Sequence, residues 1–128
     1  MAILTKEAIS KVKDLVTEDV EVPEWGGTVR VKMMTAQERD IYELSIYEDE
    51  KNNRSENVRA RLCVSVMIDE KGNRIFGLNE VKVLGKKSAK AVNRVFEVAR
   101  KLNAIGDDEV KEIEKNLPET PGGDSSSG

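Results

Sequence analysis

The chain has 128 residues, of which 38% are hydrophobic and 35% are charged, and its formal net charge at pH 7 is -3. This length suits one domain and is too short for two independent cores. The small negative charge excludes a global field that would attract nucleic acid or an anionic membrane. The most apolar stretch, residues 58–68, contains two arginines and is too short to cross a bilayer, so we expect no membrane partner.

Histidine is absent, which removes the commonest general base and metal ligand at neutral pH. The single cysteine, Cys63, lies in the most apolar stretch, where a thiol packs as a small hydrophobic group and has a raised pKa. One cysteine cannot form an intrachain disulfide, and the first residues lack the apolar run of a signal peptide, so we expect a cytosolic protein. We also expect no catalytic residue, no metal ion and no cofactor.

The first third of the chain predicts a helix followed by a β-hairpin. Apolar residues recur every three or four positions over residues 5–16, as on one face of a helix. From residue 18 to residue 33 apolar and polar residues alternate on both sides of Gly26 and Gly27, which suit a tight turn. Pro23 has no backbone donor, so the first strand should lie at an edge or end there.

The next segment begins with a clear helix signal and continues with an ambiguous one. Thr35 and Glu38 have the spacing of a capping box, which predicts a helix over residues 36–49. From Val58 to Ile68 apolar and polar residues alternate strictly, which favours a strand. The residues just before Val58 look like a helix start, so this pattern alone leaves both structures open.

Residues 69–102 contain signals for a turn and for two helices. Residues 69–73 predict a turn, after which residues 74–76 could pair back as a short strand. Residues 78–84 fit a short helix with Gly85 as its C-cap. The most amphipathic helix of the chain is predicted from its cap, Ser88, to Leu102.

The end of the chain predicts one more helix and a tail. Residues 107–117 carry acidic side chains at their start and an apolar face, and Pro118 stops the helix. Residues 118–128 offer no burial that could offset their ordering entropy, so we expect them to be disordered. The sequence therefore predicts an α+β, predominantly helical single domain over residues 1–117, with one or two short β-hairpins and a disordered tail over residues 118–128.

A few residues are candidates for partner binding. Trp25, beside the glycine turn, could anchor a partner, because aromatic residues are enriched at binding hot spots. Met33 and Met34 could form an adaptable contact surface, although all three side chains could instead cover the core. Seven basic residues against one acidic residue between Lys82 and Lys101 could follow a phosphate backbone. Without interleaved aromatic residues, we interpret them as a solvated helix face and expect no nucleic acid partner.

Three regions of the sequence, near its start, in its second half and near its end, resemble one family. Residues 20–31, VEVPEWGGTVRV, followed by residues 35–40, TAQERD, are similar to the N-terminal half of tail assembly chaperones from siphoviruses, the long-tailed phages with non-contractile tails, of the lambda G type. Three further parts of the chain are similar to the C-terminal half of these chaperones: residues 69–76, DEKGNRIF, residues 84–88, LGKKS, and the helix that contains Val95 and Phe96. Residues 110–116, VKEIEKN, resemble their usual ending.

The resemblance implies a non-enzymatic protein of the host cytoplasm that is absent from the mature virion. Such a protein binds the tape measure protein, keeps that long chain soluble and recruits subunits of the tail tube protein, and it could also self-associate. The family also implies a helix over Val58 to Ile68, although the alternation of apolar and polar residues there favours a strand. Two alternative functions stay open: a different phage morphogenesis component, such as a head-tail joining or tail tube protein, and a small DNA-binding regulator that uses the helix from Ser88 to Leu102.

The resemblance further implies a second, longer product made by a backward ribosomal slip. Lys115 and Asn116 are a candidate site, because the codons AAA-AAC after an adenine would form a slippery heptamer. Lys-Asn is an ordinary dipeptide, and other positions, such as Lys86-Lys87 or Gly122-Gly123, could also slip with suitable codons.

Overall fold

The computed structural model describes residues 2–51 and 57–105. Its helices are α1 (Lys6–Lys11), α2 (Ala36–Lys51), α3 (Val58–Val66), α4 (Val81–Gly85) and α5 (Ala89–Leu102), and its strands are β1 (Thr17–Val22), β2 (Gly27–Lys32) and β3 (Met67–Ile68). The predicted α+β class with mostly helical content is confirmed. The helix predicted over residues 107–117 and the tail over residues 118–128 lie outside the described residues.

The three strands form an antiparallel sheet in the order β1-β2-β3. Thr17 pairs with Lys32 at one end of the first hairpin, and Val22 pairs with Gly27 at the other. A single 3-10 turn over Pro23–Trp25 connects the strands, and Gly26 closes it with φ of 72°, a left-handed conformation that glycine adopts without strain. The predicted hairpin is therefore confirmed, with β1 at the edge of the sheet and ending at Val22, directly before Pro23.

The ambiguous segment is a helix for most of its length. α3 covers Val58–Val66, and only Met67 and Ile68 continue as a strand beside β2. The helix is hard to recognise in the sequence because α3 is buried almost all round: Ala60 and every residue from Leu62 to Val66 are buried. A helix that is buried on most sides loses the three-to-four-residue period by which amphipathic helices are recognised.

The second hairpin is present in a reduced form. The Asp69 N–H donates to the Asn73 carbonyl over 2.8 Å, and Gly72 has φ of 89° in the turn. Arg74 forms one isolated bridge with Ile68, so the chain pairs back without forming a full strand.

The core lies between the sheet, α3 and α5. α5 packs against α3, β1 and β2. Its apolar stripe is buried as predicted, and the Ser88 hydroxyl caps the helix by accepting from the Ala91 N–H over 3.2 Å. The side chains without exposed area include Val22 and Val31 from the sheet and Leu62 and Val64 from α3. Sheet and helices thus enclose one hydrophobic cluster.

The first predicted helix was too long. α1 starts after its cap Thr5 as expected, but it ends at Lys11, because Val12 already has an extended backbone with ψ of 135°. The chain then leads into β1, and the Met33 N–H donates to the Val16 carbonyl over 3.0 Å. No residue of α1 is buried, so the apolar pattern over residues 5–16 does not reflect packing against the core.

The predicted C-cap of the short helix also needs correction. The residues from Leu78 to Glu80 form a 3-10 turn and α4 follows with Gly85 as its last residue, while the cap position is Lys86 with φ of -91°. Gly85 is therefore not a left-handed cap. A Cβ atom at Gly85 would collide with the side-chain oxygen of Asn57, so the glycine makes room for that side chain.

Asn103, just beyond α5, connects three parts of the fold through its buried side chain. Its Oδ1 accepts from the Met34 N–H over 2.7 Å, and its Nδ2 donates to the Lys32 carbonyl over 3.2 Å and to the Ala99 carbonyl over 3.0 Å. Arg39 of α2 donates to the Asn103 carbonyl over 2.8 Å. The end of α5 is thereby joined to the end of β2 and the start of α2.

Replacing Asn103 with alanine should lower the free energy of unfolding by about 2 kcal/mol, because the buried Met34 N–H loses its acceptor. Urea unfolding followed by circular dichroism measures the change. Asn93→Ala is the matched control, since Asn93 lies exposed on α5. Equal losses in the two variants would contradict this role of the Asn103 amide.

Candidate functional site

The N-terminal segment, residues 3–16, exposes an unusual number of large apolar side chains. Ile3 is 95% exposed, and the others are about half exposed or more: Leu4, Ile9, Val12, Leu15 and Val16. Isolated apolar residues are common on protein surfaces, whereas a cluster of this kind indicates an interaction site. The N-terminal segment is thus one candidate surface for binding another protein.

A second apolar surface lies on α2. Ile41, Leu44 and Tyr47, named here the α2 stripe, follow each other at intervals of three residues and are 49%, 58% and 60% exposed. Tyr42, on another side of the same helix, is buried in the core. α2 therefore has two apolar sides, of which one packs inward and the other faces solvent.

The α2 stripe borders a cleft of about 100 Å³ between α2, α3 and the start of α4. Ile41 and Leu78 contribute partly exposed apolar side chains to this cleft, and Val81 forms part of its buried wall. Charged side chains also line it: Glu38, Arg61 and Arg74. Arg61 forms an ion pair with Asp49. Ile41 belongs to both the stripe and the cleft, so the two surfaces adjoin and combine apolar with charged side chains.

Glu38 fixes the start of α2 as the sequence predicted. The Thr35 hydroxyl accepts from the Glu38 N–H over 3.1 Å, and the Glu38 carboxylate accepts from the Thr35 N–H over 2.9 Å and pairs with Lys32 over 2.6 Å. Partial burial acts to raise the pKa of Glu38, but the bonds to Lys32 and Thr35 outweigh it and leave that pKa below its ordinary value. The carboxylate therefore stays charged, and the helix that carries the stripe has a fixed start.

The structure separates the binding candidates predicted from the sequence. Trp25 is half-buried before β2 and packs against the core, whereas Met33 and Met34 follow β2 at its other end. Met34 is buried and Met33 half-buried. A strand of six residues spans about 20 Å, so these side chains do not form one site. Their role in binding stays a prediction, and Lys115 and Asn116 lie outside the described residues.

The sequence pattern places Ile41 and Leu44 on a face of the second helix but does not reveal that this face is exposed. The feature of the sequence that could have revealed the exposed face is a second apolar face on the same helix, formed by Tyr42 and Ile46. A helix at the surface needs only one apolar face for packing. The second face on α2 is therefore the sign of an interaction surface.

The basic residues of α5 are partly neutralised by neighbouring carboxylates. Arg94 pairs with Glu24 over 2.9 Å, and Arg100 pairs with Glu97 over 2.8 Å. The hydrogen bond from Arg94 holds the pKa of Glu24 below its ordinary value, so this pair stays charged at neutral pH. These contacts support the interpretation of a solvated helix face.

Within residues 2–51 and 57–105, no group of three or more cysteine, aspartate or glutamate residues could hold a metal ion. No helix in the same part of the chain is long and apolar enough to cross a membrane. Cys63 has no exposed area, and its Sγ lies 3.7 Å from the Val92 carbonyl. Desolvation raises the pKa of its thiol to about 12, so at neutral pH Cys63 is a packing residue.

Alkylation of native Cys63 by iodoacetamide at pH 8 should be at least about 100-fold slower than in the urea-unfolded protein, because burial suppresses the reactive thiolate. Stability should also depend on alkaline pH. The thiol loses its proton near 9.0 when unfolded and near 12 when folded, so its contribution is full below pH 9 and declines towards pH 12. Cys63→Ser is the control for both measurements; equally fast labelling in both states would contradict burial.

A protein-family model described as phage tail assembly chaperone matches residues 4–116. The matched range contains the sheet and all helices from α1 to α5. None of the curated proteins matches the chain, and none of the solved structures does. The match confirms the resemblance carried by the hairpin, the capping box and the later turn, and because it spans most of the sequence, the chain belongs to the phage tail assembly chaperone family.

Proposed function

We propose that this protein binds the tape measure protein of a siphovirus, keeps that long chain soluble and recruits tail tube subunits to it during tail assembly. The observation that carries the proposal is the family match over residues 4–116. The apolar side chains exposed on the N-terminal segment and on α2 supply a physical means, because covering the apolar surface of a client removes its tendency to aggregate. Association without catalysis is all that this function requires.

The two apolar surfaces allow two partners to be held together. The N-terminal segment leads into β1, and the α2 stripe follows β2, so both surfaces are attached to the same small sheet. One surface could hold the tape measure protein while the other contacts a tail tube subunit or a second copy of the chaperone. Two binding surfaces on one molecule raise the effective concentration of one partner near the other.

The proposed place of action is the host cytoplasm, before the virion is complete. A chaperone that covers apolar regions of an unassembled client has to dissociate when those regions become contacts within the finished tail. The chaperone is therefore expected to be absent from the mature particle.

The structure offers less support for a tail tube protein or a DNA-binding regulator. Tail tube subunits need long strands that pair between molecules, whereas the described strands have six, six and two residues. A DNA-binding regulator would use the cations of α5, and two of its four basic residues, Arg94 and Arg100, are engaged with Glu24 and Glu97. We therefore propose no second function.

Co-expression with the tape measure protein of the same phage should increase the soluble yield of that protein several-fold, and the two should co-purify. Quantitative immunoblotting of the soluble and pelleted fractions measures the effect. An unrelated acidic protein of similar size serves as the control. If the tape measure protein stays insoluble and no complex is recovered at low or high salt, the proposed function is wrong.

We also propose that ribosomes slip backward at Lys115-Asn116 and produce a longer protein that shares the described domain. Mass spectrometry of the products of the native gene should find both forms. Synonymous recoding of this pair to AAG-AAT should abolish the longer form, whereas synonymous recoding of Lys51-Asn52 should not. A single product, or a longer product that still contains the sequence from Pro118 to Gly123, would exclude slippage at this pair.

A further inference from the structure

We propose that the α2 stripe and its adjoining cleft bind an amphipathic helix whose apolar face is bordered by lysine or arginine side chains. This inference rests on the proposed function, in which the bound helix is a segment of the tape measure protein. It adds the position of the client site and the chemical character of the segment that occupies it.

The apolar geometry of the surface fits a helix. Tyr47 follows Ile41 by six positions on α2, which is about 9 Å along the helix axis, or more than one and a half turns. A partner helix with apolar residues at intervals of three and four positions would lie along this stripe, as in other complexes of a helix with a groove. Leu78 extends the apolar surface across the cleft.

The cleft has room for an anchoring side chain. Its volume of about 100 Å³ is somewhat smaller than the ~150 Å³ of an apolar cavity that accommodates benzene. A branched aliphatic side chain from the partner is therefore the group that fits best between Ile41 and Val81. Buried anchors of this kind contribute much of the affinity at protein interfaces.

The charge around the stripe selects a basic partner. α2 contains six acidic residues and two basic ones, and the exposed carboxylates of Asp40 and Glu43 are neighbours of the stripe in the helix sequence. Glu43 pairs with Arg39 but keeps a side chain that is 55% exposed. Lysines beside the apolar face of a partner helix would meet these carboxylates, whereas glutamates would be repelled.

The site has fewer positive charges than negative ones. Arg61 is engaged by Asp49, and Arg39 is engaged by Glu43 and by the Asn103 carbonyl. Arg74 lines the cleft and is exposed. It can accept one acidic residue of the partner without reversing the overall preference for a basic helix.

A second copy of this chain is the main competing occupant. Its N-terminal segment combines exposed apolar residues with Lys6, Lys11 and Lys13. Within α1, however, Ile9 is the single large apolar side chain, so α1 cannot match the three side chains of the stripe. A longer amphipathic helix covers the stripe better, and we therefore assign the surface to the client.

Two synthetic helical peptides test the proposal. Both have 18 residues and the same leucines on one face, but the residues beside that face are lysines in one peptide and glutamates in the other. Fluorescence anisotropy at low salt should give at least about tenfold tighter binding of the lysine peptide to the full chain, and added salt should reduce the difference. Equal affinity for the two peptides, or binding of neither, would overturn the proposal.

Leu44→Glu should weaken binding of the lysine peptide at least about tenfold, because it places a charge in the middle of the stripe. Val83→Glu is the matched control, since Val83 is an apolar side chain on α4 that is also about half exposed and lies outside both apolar surfaces. Thermal unfolding should verify that both variants fold. Unchanged peptide binding by Leu44→Glu, or a loss equal to that caused by Val83→Glu, would overturn the assignment.

Analytical sedimentation of the chain alone distinguishes between the two possible occupants of the surface, the client and a second copy of the chain. A self-association that disappears in Leu44→Glu, together with no peptide binding, would assign the surface to a second copy and overturn the proposal. Solubilisation of the tape measure protein by Leu44→Glu at the level of the unmodified chain would also overturn it while leaving the proposed function intact. Failure of the unmodified chain to solubilise that protein would instead contradict the proposed function.

Discussion

The buried amide of Asn103 is the contact on which the arrangement of the other elements depends. It bonds to backbone groups of Lys32, Met34 and Ala99, so a single side chain satisfies polar groups from β2, from the connection to α2 and from α5. An apolar side chain of similar size would fill the same space but would leave the Met34 N–H without an acceptor. The amide therefore specifies how α5 and α2 meet at the end of the sheet.

This junction explains how α2 can present an apolar surface to solvent. The helix begins at the capping box of Thr35 and Glu38, and it is tied to the Asn103 carbonyl through Arg39. Near its other end, Asp49 pairs with Arg61 of α3. Polar contacts thus hold the helix at both ends while Tyr42 anchors its inner side. The α2 stripe is consequently held in place before binding, which limits the entropy that the stripe itself would lose when a partner binds.

The elements that the sequence predicted correctly carry local signals. The hairpin has Gly26 at a position that needs a positive φ, and the helices at Thr35 and Ser88 begin with side chains that bond nearby backbone N–H groups. Local patterns mislead where burial decides the outcome, because they do not report burial. The alternation in α3 favours a strand although the segment is the helix that the family resemblance implied, and residues 5–16 look like a packed helix although their apolar side chains are exposed.

The candidate site was predictable only in part, for the same reason. The sequence identified α2 and its apolar residues, but whether Ile41 or Tyr42 faces the core depends on where α3 and Asn103 place the helix. Trp25 was a binding candidate by its residue type alone, and the structure places it against the core. Family membership was accessible from the sequence because the resemblance rests on the local motifs that the structure confirms.

The position of β1 at the edge of the sheet has a consequence for a protein that exposes so much apolar surface. The Val16 carbonyl accepts from Met33, and the register pairs Glu18 with Val31, so the even-numbered residues direct their backbone groups towards β2. The outward-facing backbone groups of β1 therefore belong to Thr17, Asp19 and Glu21, and all three side chains are exposed. Glu21 places an exposed carboxylate on this edge strand, the Asp19 carboxylate pairs with Arg30, and Pro23 follows directly after the strand. Charged side chains and a following proline oppose pairing with a further strand, so growth of the sheet from one molecule to the next is discouraged and side-chain surfaces are left as the places where partners can associate.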